Sequence, residues 1–203
     1  MSQPLLETIK IDVIPEGVGI LTLNRPDRDN ALNSVLLKDL LVAFQWATIE
    51  EKVKVVIITG NGKYFTSGWD LTEVSQIESL EEVFERMKTF TELIEVLIDF
   101  PKLLLAAVNA ICAEACSSYL LPKFLGNSTA NEMLVPSELV NHGFINRIIQ
   151  KENLLNETIK EAITVTKFSF EAFKQTKQLI KSDDIRDHLK KVLKRENEAL
   201  IER

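Results

Sequence analysis

At 203 residues the chain is long enough for one large domain or two small ones with a substantial buried core. Its apolar fraction of 45% and charged fraction of 27% exclude a wholly disordered chain, a collagen-like repeat and a polytopic membrane protein. A net charge of −6 argues against a nucleic-acid-coating protein, which needs a basic face.

The first third alternates strands and helices. Gly17 to Asn24 is β-branched and apolar, with a Pro-Asp turn signal just beyond, and reads as a strand. Asn33-Ser34 then caps a helix whose apolar residues Leu36, Leu37, Leu40, Leu41, Phe44 and Ala47 recur at helical spacing. Lys54 to Thr59 is a short, continuously apolar strand of the kind covered on both faces, and it runs into the loop Gly60-Asn61-Gly62. Strand, helix and strand in this order predict an α/β fold with covered parallel strands. A long amphipathic helix follows from Ser79 to Asp99, with Val83, Met87, Phe90, Leu93, Ile94 and Leu97 as its apolar stripe. Pro101 ends it, and Leu103 to Val108 reads as the next buried strand. From Asn153 onward the pattern is helical, with Lys and Glu on solvated faces. No internal repeat or low-complexity linker divides the chain, which reads as one continuous domain.

Two cysteines, Cys112 and Cys116, are too few for a disulfide framework and read as reduced structural thiols of an intracellular protein. The histidines His142 and His188 show no ligand spacing to them, so no metal site is expected. The opening MSQPLLETIK has no basic flank followed by an apolar run, so a signal peptide is not expected there, and Leu103 to Ala113 is too short to span a bilayer. Gly60-Asn61-Gly62-Lys63 fits neither a phosphate loop nor a dinucleotide fingerprint, and no nucleophile elbow is present. The stretch Ile58 to Val74 is more specific. Ser67-Gly68-Trp69-Asp70 can turn sharply because Gly68 tolerates positive φ, and Asp70-Leu71-Thr72-Glu73 resembles a helix start. Backbone N–H groups at such a turn can hold an oxyanion, whereas the plainer reading is a glycine turn with Asp70 as an ordinary cap.

Five segments in order carry a family resemblance: NRPDRDNALN (Asn24 to Asn33), ITGNGKYFTSGWDL (Ile58 to Leu71), PKLLLAAVNA (Pro101 to Ala110), AEACSSYLLPKFLG (Ala113 to Gly126) and HGFINRI (His142 to Ile148). Together they resemble the crotonase, or enoyl-CoA hydratase/isomerase, superfamily, and within it the peroxisomal-type Δ3,Δ2-enoyl-CoA isomerases. The resemblance implies an α/β, crotonase-like (ClpP/crotonase) spiral of ββα units over residues 1–126, shortened after residue 109, and a helical C-terminal region over 127–203. It implies an acyl-CoA thioester as partner, a homotrimer or trimer-based oligomer, and no cofactor, CoA being part of the substrate. The residue after the loop glycine, Trp69, would offer its backbone N–H to the thioester oxygen. Arg25, Asn30, Ala31, Leu32, Ser67, Gly68, Asp70 and Leu71 match the CoA-contact regions, with Arg25 either a phosphate partner or a surface charge.

Glu114 matches the isomerase carboxylate, which takes a proton from C2 and returns it at C4, moving a 3-enoyl double bond to the 2-position in fatty-acid β-oxidation. An apolar setting would raise its pKa for that task. Taken alone, Glu114 reads equally as a surface glutamate. The chain passes from Asn109 to Glu114 without the Gly-rich turn, helix and strands that the family inserts there and that normally supply a second oxyanion N–H. A second reading is therefore a catalytically impaired isoform that binds CoA ligands or partner subunits. The resemblance implies the peroxisome, with the mitochondrion as alternative, although the terminal Ile-Glu-Arg is no peroxisomal signal.

Overall fold

The computed structural model describes residues 2–109, 140–141 and 145–201. Glu114, Cys112, Cys116, His142 and the boundary at 126/127 lie outside the described residues.

A four-stranded sheet in the order β1 (Ile9–Ile14), β2 (Val18–Leu23), β3 (Val55–Gly60) and β4 (Leu103–Ala107) organises the fold. Strand β1 pairs antiparallel with β2, whereas β2, β3 and β4 run parallel, in registers such as Ile20↔Ile57 and Ile57↔Leu105. The parallel strands are continuously apolar because both faces are covered. Along β2, Val18 and Ile20 face one layer while Leu21 and Leu23 face the other. On one side helices α1 (Ser34–Ile49) and α3 (Leu80–Asp99) bring Leu36, Leu37, Leu40, Phe44 and Leu93 onto Leu21, Leu23 and Val56. On the other, helix α4 (Leu154–Thr166) packs Ala162 and Ile159 onto Val18, Ile20, Val55 and Ile57. Two further helices follow, α5 (Phe170–Ile180) and α6 (Asp183–Ile201), and α6 lies along α3.

The helix starts follow the sequence signals. The Asn33 side chain accepts the Leu36 N–H at 2.9 Å, and the Ser79 hydroxyl accepts the Glu82 N–H at 3.2 Å. Strand β1 had no counterpart in the sequence reading, yet Ile9 and Ile11 are buried with Lys10 exposed between them, the period-2 signature of a strand with one wet face. Strand β4 departs from the expected buried strand. Leu103, Leu104 and Leu105 are partly buried, Ala106 is exposed and only Ala107 is fully buried, so the faces of β4 are less completely covered than those of β2 and β3.

Candidate oxyanion loop at the ends of the parallel strands

The three parallel strands end at the same side of the sheet, and their following segments meet there. Residues 24–33 leave β2, and residues 61–70 leave β3 and fold back over its end. A Cβ on Gly60 would lie 2.6 Å from the Phe65 Cα and 2.7 Å from the Tyr64 and Phe65 carbonyl oxygens, so only glycine admits this return. At the end of β4, the Asn109 side-chain amide donates to the Gly62 carbonyl at 3.0 Å.

Asn30 joins the first two segments. It is fully buried and sits in the left-handed region at φ 54°, next to Asp29 at 49°. Its Oδ1 accepts the Arg25 N–H at 2.8 Å, while its Nδ2 donates to the Asn61 carbonyl at 2.9 Å and the Tyr64 carbonyl at 2.8 Å. Its own carbonyl accepts the Thr66 hydroxyl at 2.8 Å. A buried amide that satisfies three backbone groups of two loops fixes their separation.

Leu32 and Trp69 then form an isolated parallel bridge. The Leu32 N–H donates to the Gly68 carbonyl at 2.7 Å, and the Asp70 N–H donates to the Leu32 carbonyl at 3.0 Å. In a parallel bridge the bracketed residue turns its own N–H away from the partner strand. The Trp69 N–H accordingly points away from Leu32 and has no hydrogen-bond partner among the described residues. Gly68, at φ +90°, makes the turn, and its N–H is held by the Thr66 hydroxyl at 3.2 Å. The Trp69 ring packs against Phe90 of α3, with centroids 5.5 Å apart.

Arg25 closes the loop from the other side. One guanidinium nitrogen donates to the Ala31 carbonyl, and the other meets the Asp70 carboxylate at 3.1 Å. With only 16% of its side chain exposed, Arg25 is a clamp, and the alternative of a free surface charge is replaced by that role. Burial opposes ionisation of Asp70. The Arg25 guanidinium and the Glu73 N–H outweigh it and hold the carboxyl below the ordinary range. Asp70 also caps the short helix α2 (Leu71–Val74), accepting the Glu73 N–H at 3.4 Å, so the capping role and the ion pair coexist.

Ala31 is buried, Leu32 and Ser67 are partly buried, and Leu71 is exposed beside the turn. Sequence reasoning missed Thr66, Asn61 and Tyr64, which build the turn, and Glu73, whose carboxylate accepts the Ser34 N–H at 2.9 Å and pairs with Arg86 at 3.5 Å. A groove of about 550 Å³ lies elsewhere, between α3 and α6, and none of its lining residues belongs to the Trp69 loop. Among the described residues no His, Cys, Asp and Glu cluster could hold a metal ion, and no helix is long and apolar enough to cross a membrane.

This two-faced sheet and its backbone loop match a known architecture. A solved structure titled enoyl-CoA hydratase, from Mycobacterium marinum, superposes with a TM-score of 0.66 at 27% identity, covering 86% of this chain and 99% of that one. Residues 13–113 match the family model for enoyl-CoA hydratase/isomerase. The chain belongs to this family and has the crotonase fold. Among curated relatives, rat enoyl-CoA delta isomerase 2 is 27% identical over 208 positions, covering 83% of this chain and 53% of the relative. Mouse peroxisomal enoyl-CoA delta isomerase 3 is 27% identical over 211 positions, covering 83% of this chain and 66% of the relative. The chain therefore spans about half to two thirds of these two proteins. Both alignments are longer than the 203-residue chain although they cover only part of it, so the relatives carry internal residues that it lacks.

Proposed function

We propose that this chain binds an acyl-CoA thioester and moves a 3-enoyl double bond to the 2-position. The Trp69 N–H donates to the thioester oxygen, so charge developing on that oxygen in the enolate meets a donor already oriented. Glu114 takes the proton from C2 and returns it at C4, a transfer that needs no metal or redox cofactor. Glu114 is assigned this role by its match to the family's isomerase carboxylate, five residues after Asn109 in the sequence. Ala31, Leu32, Ser67, Gly68, Asp70 and Leu71 form the CoA-contact rim, with Arg25 positioning Ala31 and Asp70 within it; Asn30, expected among the contacts, is fully buried and supports the rim from beneath. The observation that carries this reading is the Trp69 N–H, turned away from its bridge partner and left without an acceptor among the described residues.

The test is conversion of 3-hexenoyl-CoA to the 2-enoyl thioester by the purified chain, with a longer relative run alongside. Turnover that Glu114→Gln abolishes supports the reading, and an inert chain beside an active relative refutes it. A second reading has support in the alignments, whose extra positions show that the relatives carry internal residues this chain lacks. In it the chain binds CoA ligands or partner subunits without turnover, and acyl-CoA binding with no isomerisation would select it. The reading includes a trimer-based assembly, measurable by light scattering, and a role in β-oxidation. Its compartment is the peroxisome, as the name of the mouse relative suggests, with the mitochondrion as the alternative to separate by imaging.

A further inference from the structure

At the opposite end of the parallel strands a second polar centre is built from unrelated residues. The end of α3 and the start of β4 meet α5 and α6 in a small cleft lined by Lys174, Lys177, Lys181 and Arg186, with Asp99 and Phe100 on the facing wall. Lys177 is fixed: its Nζ donates to the Lys102 carbonyl at 2.6 Å and sits 5.5 Å from the centroid of the Phe100 ring. The acidic groups nearby are already engaged, Asp99 by Lys190 at 2.5 Å and the largely solvated Asp183 by Arg186 at 3.3 Å. Burial, then the charges of Lys181 and Arg186, push the Lys177 amine down to about 8, a sign that these cations repel one another. The α5 macrodipole accounts for Lys177 and Lys181 at its last turn and just beyond, whereas Arg186 stands in the first turn of α6, where the macrodipole disfavours a cation and Asp183 is its ion-pair partner.

We propose that this cleft binds a phosphate-class oxyanion, with Lys174, Lys177, Lys181 and Arg186 as its cationic partners. The volume of about 40 Å³ has room for about three waters, the size of one tetrahedral oxyanion. Guanidinium and ammonium groups converging on one small space are the donor set that such an anion takes. The five-residue strand β4 separates the cleft from the Trp69 loop by about 16 Å, so this site is distinct from the thioester-binding one.

The experiment uses the full chain in calorimetric and thermal-unfolding titrations with orthophosphate, adenosine monophosphate and sodium chloride at matched ionic strength. Saturable binding of orthophosphate, with a midpoint rise of several degrees near 100 times Kd, is expected, and chloride should not reproduce it. Equal affinity for the two phosphates assigns the free ion, and tighter binding of the nucleotide assigns a phosphomonoester. The double variant Lys181→Gln/Arg186→Gln should weaken binding by about tenfold or more, whereas the charge-matched control Lys10→Gln/Lys52→Gln should not. A chloride response equal to the phosphate response, or unchanged affinity in the Lys181/Arg186 variant, would overturn the proposal. So would a stable oligomer that binds no phosphate, because the cations would then be serving a second copy.

Discussion

Replacing Asn30 tests the loop most directly, because one buried amide holds both segments of the turn. Asn30→Ala removes three hydrogen bonds, from the Arg25 N–H and to the Asn61 and Tyr64 carbonyls. Each contributes about 1 kcal/mol net when water can partly replace it, and Asn61 is exposed enough for that. Alanine at φ 54° adds about 1 kcal/mol of left-handed strain, for a total of about 4 kcal/mol. Asn30→Gly removes the same hydrogen bonds but not the backbone tolerance, and should recover about 1 kcal/mol relative to alanine. Urea unfolding at neutral pH measures both differences. In a thermal scan the alanine variant should lose roughly 10 °C. Acyl-CoA binding should weaken in parallel, since the Trp69 N–H takes its direction from the bridge that Asn30 supports. An alanine variant within about 0.5 kcal/mol of the parent, or a glycine variant less stable than alanine, would refute the reasoning.

Gly60→Ala should cost about 3 kcal/mol in urea unfolding, because its Cβ meets backbone at Phe65 and Tyr64 rather than a flexible side-chain end. Asp70→Asn should cost about 1–2 kcal/mol. The Asp70 carboxyl is held below its ordinary value of 3.8, so its contribution is complete above that pH and lost as pH falls through the lower folded value. The parent should therefore lose that stability in strong acid while the asparagine variant, already without it, shows a shallower acid limb. Burial lowers the Lys102 amine to about 8, although its Nζ donates to the Glu50 carbonyl at 2.7 Å. The unfolded chain then binds protons that the folded chain has released between pH 8 and 10.5, so stability rises with pH across that window. Lys102→Met should remove on the order of 3 kcal/mol of that rise, leaving the similar part due to Lys177, and an unchanged slope in urea titrations would contradict the assignment.

Local signals made much of the scaffold legible. The Asn33 and Ser79 caps, the apolar stripe of α1 and α3, and the unbroken apolar runs of β2 and β3 each depend on neighbours within a few residues. The glycine turn before Trp69 was legible for the same reason. What escaped depends on contacts far along the chain. The Arg25–Asp70 pair joins residues 45 apart, Glu73 reaches the Ser34 N–H across 39, and Asn30 reaches Tyr64 across 34. An asparagine in a polar Asp-rich run looks solvated until the loops close over it. The burial of β4 likewise depends on what packs over its two faces, a property that its own Leu-Leu-Leu sequence does not encode.

These long-range contacts matter chemically because the candidate oxyanion donor is backbone. A side-chain donor is specified by its residue type, whereas the Trp69 N–H is specified by everything that sets the peptide plane. The Leu32 bridge fixes its direction, Gly68 permits the turn, Thr66 holds the preceding N–H, and Arg25 ties Ala31 to Asp70. The residue at position 69 is free to be a tryptophan, whose ring instead packs on Phe90 of α3. Such a donor is oriented before a ligand arrives, the condition under which electrostatic stabilisation needs no reorganisation during reaction. Where two donors share one oxygen, removing one of them costs about 10²–10³ in rate. The number of residues between Asn109 and Glu114 therefore bears more directly on turnover than does the identity of residue 69.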